Sequence, residues 1–173
     1  MYTPFTNRNI QQLYIHRQGI MKPDYELTDD MYSYGKLSYK WLSMRRRASV
    51  ETANNTWVFE FESIWKTSLL ITDKNEKIIG RLTSKLFSHK YTLVMNDGFT
   101  ATFRQPSFWK SKYVWEDTMQ APIIRVESPA FKSTDNIFIE QGTTPAAKIP
   151  LLAFLGIHLI IIRRQREAAV ASS

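Results

Sequence analysis

Hydrophobic and polar positions alternate with a period of two through most of the chain between residues 25 and 141. Within segments 37–41 and 57–61, for example, every second residue is apolar. This alternation predicts strands that bury one face. Further strands are predicted at residues 49–53, 68–72, 77–82, 91–95, 99–103, 112–116, 122–127 and 136–140, with less regular segments at 25–28 and near Leu86. About a dozen short strands separated by turn residues predict a mostly antiparallel barrel or sandwich.

One predicted hairpin can be assigned a register. A two-residue turn at Asp97 and Gly98 mixes apolar and polar residues on both faces, whereas a three-residue loop at 96–98 separates them. The three-residue loop places three apolar pairs on one face, namely Met95 with Phe99, Leu93 with Ala101 and Tyr91 with Phe103. We therefore predict a bulged three-residue loop with Gly98 in the left-handed conformation.

The longest apolar segment, residues 149–162, has two interpretations. As a helix it is about 21 Å long, shorter than a hydrocarbon core of about 30 Å. A membrane anchor with a cytoplasmic body also places Arg163, Arg164 and Arg166 beyond the membrane, against the positive-inside tendency. The alternative is a helix at about 149–166 that is apolar on every side because it is buried on every side. Pro150 suits its first turn, and the arginines are expected near the negative end of its dipole.

The arrangement of these elements is similar to that of a known superfamily. The features that carry the similarity are Tyr-Gly-Lys-Leu-Ser-Tyr at 34–39, an Ile-Thr-Asp hairpin ending in Lys-Ile-Ile-Gly at 77–80, the Asn-Asp-Gly hairpin at 96–98, and a terminal apolar helix followed by arginines. From residue 25 to about 168 the layout resembles the tubby-like superfamily, which includes the tubby carboxy-terminal domain, LURP-one-related proteins and phospholipid scramblases. The resemblance implies a barrel of about twelve strands around a central hydrophobic helix.

The expected fold is therefore mainly β, a roughly twelve-stranded antiparallel closed barrel that encloses a hydrophobic carboxy-terminal helix. We assign residues 23–168 to this domain and 169–173 to a flexible tail. Residues 1–22 form an amino-terminal extension, for which an extra strand, a short helix packed on the barrel and a flexible arm remain open. This segment lacks the apolar stretch of a secretory signal, which predicts a cytoplasmic location.

Composition narrows the functional classes. The 173 residues are 43% apolar and 23% charged, which is typical of one globular domain. Cysteine is absent, which excludes a disulfide scaffold, a thiolate zinc site and cysteine catalysis. The net charge of +7 lies entirely beyond Tyr39. A basic surface favours anionic partners, although a solvated basic shell that only keeps the protein soluble is the alternative.

The sequence contains no recognisable catalytic motif. His16, His89 and His158 are far apart, and no metalloprotease helix, glycine-rich phosphate loop or nucleophile elbow is present. Glu60 and Glu62 are expected on a solvated strand face, and His158 is expected to form a hydrogen bond to the barrel wall. No acidic loop has the spacing of a calcium site. We expect a protein that is not an enzyme and that needs no metal or cofactor.

Two segments are candidates for binding anions. Arg45, Arg46 and Arg47 lie between predicted strands, where adjacent guanidinium groups can hold a phosphate. The segment 105–113 combines Trp109 with Lys110 and Lys112, and aromatic rings beside lysines suit a lipid interface or stacked bases. The alternatives are a solvated turn for the arginines and aromatic rings that cover the barrel rim.

These observations predict a non-catalytic binding module at the periphery of a membrane. Its basic surface is expected to engage anionic ligands such as phospholipid headgroups. In the resembled superfamily, tubby domains bind phosphoinositide headgroups through basic side chains, and scramblases are associated with membranes and calcium. Nucleic-acid binding ranks lower, because neither a recognition helix nor an RNA-binding strand signature is present. A membrane tether formed by residues 149–162 is the third alternative.

Overall fold

Twelve antiparallel strands form a closed barrel in which sequence neighbours are spatial neighbours and the first strand pairs with the last. The computed structural model describes residues 1–6, 9–19, 23–40, 47–63, 67–84, 90–106, 111–140, 142 and 144–172. The strands are β1 (Gln12–Gln18), β2 (Asp24–Thr28), β3 (Ser33–Tyr39), β4 (Ala48–Thr52), β5 (Thr56–Phe61), β6 (Leu69–Thr72), β7 (Ile78–Ser84), β8 (Lys90–Met95), β9 (Thr100–Arg104), β10 (Lys112–Glu116), β11 (Pro122–Glu127) and β12 (Thr134–Ile139). The predicted closed barrel is confirmed.

The alternation of the sequence determines which side chains enter the lumen. On β5, Trp57, Phe59 and Phe61 are buried, while Glu60 lies on the outer face, as predicted. The hairpin between β8 and β9 also has the predicted register. Leu93 pairs with Ala101, and Tyr91 pairs with Phe103. Gly98 adopts a φ of 88°, the left-handed conformation that the three-residue loop requires.

The lumen is filled by a single helix, α1 (Lys148–Ala171). Leu152, Leu155 and Leu159 are each at most 2% exposed, so the apolar segment is enclosed on all sides by the strands. This is the buried helix of the two interpretations, and Pro150 lies in its first turn as predicted. Within the described ranges, no helix has both the length and the apolar character needed to cross a membrane.

Two boundaries differ from those predicted. Residues 12–18, assigned to the extension, form β1 and close the barrel against β12, so an extra strand is the alternative that the structure adopts for this part of the extension. The helix continues to Ala171 instead of ending near 166, because the alanines and the glutamate of its last turns are strong helix formers. Its last turn consequently contains no basic residue, so the arginines do not interact with the dipole there. The strand proposed near Leu86 lies outside the described residues, as does Trp41.

The barrel has two ends, which α1 distinguishes. The helix begins beside the β8–β9 hairpin, where Lys148 forms an ion pair with Asp97, and we name this the Lys148 end. It leaves the barrel where Arg164 donates a hydrogen bond to the carbonyl of Ser128, and we name this the arginine end.

Strand connections at the Lys148 end are 29–32, 53–55, 73–77, 96–99 and 117–121. Those at the arginine end are 19–23, 40–47, 62–68, 85–89, 105–111 and 128–133. The longer connections thus share the arginine end.

Candidate anion-binding end of the barrel

The carboxylates at the Lys148 end are used to build its hairpins. Asp29, Asp73 and Asp117 each accept hydrogen bonds from two backbone amides of their own turn. Asp97 accepts one from the amide of Phe99. Aspartate side chains commonly stabilise short turns in this way. The five connections at this end contain six carboxylates and two lysines, so the end is acidic for a structural reason.

The opposite charge collects at the arginine end. In the sequence, its six connections contain nine lysines and arginines and a single carboxylate, Glu62. Of these basic residues, Lys40, Arg47 and Lys132 belong to the described part of the chain. Connections that are long and of one charge are typical of binding surfaces carried on a rigid scaffold. Counted over the described residues alone, the connections at this end contain three basic side chains and one carboxylate, against two lysines and six carboxylates at the Lys148 end.

Three arginines of α1 add to this charge and hold the helix against the rim. Arg163 donates to the side-chain oxygen of Gln105 in the β9–β10 connection. Arg164 reaches the β11–β12 connection. The guanidinium carbon of Arg166 lies 5.5 Å from the ring centroid of Phe61 at the end of β5, a cation–π distance. The three side chains thus contact three separate parts of the barrel wall.

The predicted binding residues fall into two groups in the structure. Arg45, Arg46, Trp109 and Lys110 lie outside the described residues. Arg47 and Lys112 are described, and both belong to the arginine end. Arg47 directly precedes β4, and Lys112 begins β10. Five other strands separate β4 from β10 in either direction, so these two residues lie across the barrel from each other. Lys112 also forms a 2.9 Å ion pair with Glu127. The described members of the two predicted clusters therefore do not form one compact patch.

An inward-facing polar pocket at this end was not predicted. It has a volume of about 280 Å³, and its lining includes Arg17, Tyr25, Asp135 and Arg164. Leu13 and Ile15 point into the lumen, so Arg17 continues the same face of β1. Asp135 pairs with Ile15, and Tyr25 pairs with Arg17, which directs both side chains inward as well. The signal in the sequence was weak, since β1 carries only two aliphatic residues.

Burial controls the titration of this pocket. It raises the pKa of Asp135, and the Ser128 hydroxyl and the Arg164 guanidinium, which favour the charged form, offset only part of that effect. Burial also raises the pKa of the Tyr25 hydroxyl, against smaller opposing effects of the two arginines. A carboxyl group and two guanidinium groups thus face one partly enclosed space.

Other predicted polar residues have structural roles. The Tyr39 hydroxyl lies 2.8 Å from Nδ1 of His158, the hydrogen bond to the barrel wall that was expected. Glu62 binds Arg81 on the outer surface. Glu116 ends β10, as the strand predicted at 112–116 requires, and its two carboxylate oxygens accept hydrogen bonds from both branches of the Arg104 guanidinium. In the described part of the chain, no group of three histidine or acidic side chains is arranged to hold a metal ion.

Comparisons with known proteins add no relative. No family model, curated protein or solved structure matches the chain.

Proposed function

We propose that the protein is a non-catalytic binding module whose arginine end engages anionic phospholipid headgroups at a membrane surface. The observation that supports this is the separation of charge between the two ends of the barrel, with basic connections at one and acidic turns at the other. The resemblance to the tubby-like superfamily favours the same class of ligand. Each lysine or arginine near an anionic leaflet contributes about 1 kcal/mol to attraction.

The exposed side chains at the arginine end suit a lipid interface. Phe131 is fully exposed beside Lys132 in the β11–β12 connection. An aromatic ring next to a basic side chain is typical of segments that insert shallowly among headgroups. The acidic turns at the Lys148 end are repelled by the same surface, so the barrel axis should stand with the arginine end toward the membrane.

Vesicle sedimentation tests the proposal. The full chain is mixed with phosphatidylcholine vesicles and with vesicles that also contain phosphatidylserine. We expect binding only to the anionic vesicles. Binding should weaken steeply between about 0.1 M and 1 M salt, because the Debye length falls from about 10 Å to 3 Å over that range. Equal binding to neutral vesicles would contradict the electrostatic proposal.

Two double variants of equal charge change test the orientation. Lys40→Gln with Arg166→Gln removes two exposed positive charges from the arginine end, and Lys74→Gln with Lys77→Gln removes two from the Lys148 end. We expect the first pair to reduce vesicle binding and the second to leave it unchanged. Equal losses would refute the assigned surface. Tight binding of a single-stranded oligonucleotide without binding of anionic vesicles would favour the nucleic-acid alternative instead.

A further inference from the structure

The polar pocket at the arginine end combines charged walls with an apolar floor. Arg17, Asp135 and Arg164 line its walls, and the floor consists of Ile157, Ile160 and Ile161 of α1. Deeper in the barrel the lumen is apolar, because Ile15 precedes Arg17 on the inward face of β1 and Ile137 follows Asp135 on the inward face of β12. Packing of the helix alone does not require a charged residue at the half-buried position of Asp135, since an apolar side chain avoids its desolvation cost, whereas Arg17 is exposed and lines the mouth of the pocket.

The arginines of this pocket retain donors that a ligand can use. Arg164 uses one guanidinium nitrogen to reach the Ser128 carbonyl. Among the described residues, no carboxylate lies within ion-pair distance of Arg17 or Arg164. A guanidinium group presents five donors in a planar fork, which matches a carboxylate closely. The walls are therefore suited to the head of an anionic ligand.

We propose that this pocket binds a carboxylate amphiphile, with its head between Arg17 and Arg164 and its hydrocarbon part against Ile157, Ile160 and Ile161. Asp135 selects a singly charged head, because its own carboxyl group faces the same space and repels a second negative charge. Exposed Lys132 also lines the pocket and adds a solvated positive charge at its mouth.

The size of the pocket agrees with such a ligand. Its volume of about 280 Å³ lies just below the usual range for small-molecule sites, about 300–1,000 Å³, and suits a small ligand head with a short hydrocarbon part. A neighbouring cleft of about 520 Å³ shares Arg17, Ala130 and Lys132 with it and continues past Phe131. A hydrocarbon chain too long for the pocket can therefore extend along a surface that already contains an exposed aromatic ring.

Calorimetric titration and thermal unfolding with decanoate, below its micelle concentration, test the proposal. We expect decanoate to bind and to raise the melting temperature, and we expect decanol and inorganic phosphate to do neither. Equal effects of decanol would show that the arginines do not contribute. Equal effects of phosphate would reduce the pocket to a simple anion site. Either result would overturn the proposal, as would the absence of decanoate binding.

Variants of the full chain identify the residues. Arg17→Gln and Arg164→Gln should each weaken decanoate binding about tenfold or more, as expected for a lost charge-assisted hydrogen bond. Asp135→Asn should tighten it, because a negative charge is removed from the pocket. Arg125→Gln, on the outer face of β11 in an ion pair with Glu140, is the control that should change nothing.

The outcomes for these variants are decisive. Unchanged binding in Arg17→Gln, or weaker binding in Asp135→Asn, would overturn the proposal. Arg164→Gln also removes the contact with Ser128, so its fold is checked by circular dichroism, and Arg17→Gln decides if it does not fold. The pocket goes beyond the proposed function and does not depend on it. The double variant Lys40→Gln with Arg166→Gln separates the two proposals. If it loses vesicle binding but still binds decanoate, the membrane surface has failed and the pocket has not.

Discussion

Replacing Gly35 with alanine is expected to destabilise the barrel, because the helix and a neighbouring strand leave no space for a methyl group. A Cβ built on Gly35 would lie 2.5 Å from the carbonyl oxygen of Glu51, 2.9 Å from Cγ2 of Thr52 and 3.2 Å from Cε2 of Phe154. The nearest of these atoms belongs to the backbone of β4, so no side-chain rotation can relieve the contact. Strands β3 and β4 must separate instead.

The size of the effect follows from two opposing contributions. Overpacking a well-packed core costs about 1–3 kcal/mol. Alanine in place of glycine within a strand recovers about 0.5–1 kcal/mol of backbone entropy. Because the contact involves backbone, we expect the cost near the top of its range and a net loss of about 2 kcal/mol in the free energy of unfolding. For a chain of this size that corresponds to a melting temperature lower by about 4–8 °C.

Gly80→Ala is the matched control. Gly80 is also buried in a strand, but its added methyl group would meet the sulfur of Met95, the flexible part of a side chain that can adopt another rotamer. We expect this variant to lose less than about 1 kcal/mol. Urea unfolding, followed by tryptophan fluorescence and circular dichroism, compares the two. If Gly35→Ala is as stable as Gly80→Ala, the close approach of β4 and α1 to Gly35 is wrong.

Three further predictions concern substitutions of single residues. Gly98→Val should lower the free energy of unfolding by about 1–2 kcal/mol, and Gly98→Asn clearly less, because only the positive φ, and no neighbouring atom, opposes a side chain there. Equal melting temperatures for the two variants would contradict this. Tyr39→Phe should lower the free energy of unfolding by about 1–3 kcal/mol, measured in urea, because His158 loses a buried hydrogen-bond partner. An unchanged urea midpoint would show that the pair is not stabilising. The hydrogen bond from Lys148 lowers the pKa of Asp97 from 3.8. Their interaction therefore stabilises the fold above that pH and is lost as the pH falls through the lowered pKa. The difference in unfolding free energy between the wild type and Asp97→Asn should shrink over that interval, and a constant difference would refute the assignment.

The register of the β8–β9 hairpin could be predicted because the sequence carries two independent restraints. One face is apolar, so a slip of one residue exchanges the faces, and Gly98 allows the only loop that keeps them apart. The central helix could be predicted for a similar reason, since a segment apolar on every side needs walls on every side. Both inferences depend on burial, which local patterns report well.

The features that the sequence left open or did not reveal depend on strand pairings, which local patterns do not report. Strand β1 carries only Leu13 and Ile15 as aliphatic inward residues, and its position follows from pairing with β12, more than a hundred residues away. Arg17 and Asp135 become neighbours only through that closure. The extension of α1 to Ala171 differs from the flexible tail predicted at 169–173, because alanine favours helix strongly even in a small, polar terminus.

The arginine end has a signal in the sequence that appears only when every second connection along the chain is compared. Basic residues recur at Lys22, Arg45, Lys66, Lys85, Lys110 and Lys132, at intervals of 19–25 residues, which is one hairpin and its two connections. In an antiparallel meander, alternate connections lie at the same end, so this recurrence marks the connections of one rim; of these six residues, Lys132 is described. A fully antiparallel closed barrel also needs an even number of strands, so its last strand ends where its first begins. A helix that follows β12 must then cross the lumen, and its arginines must emerge among the basic connections.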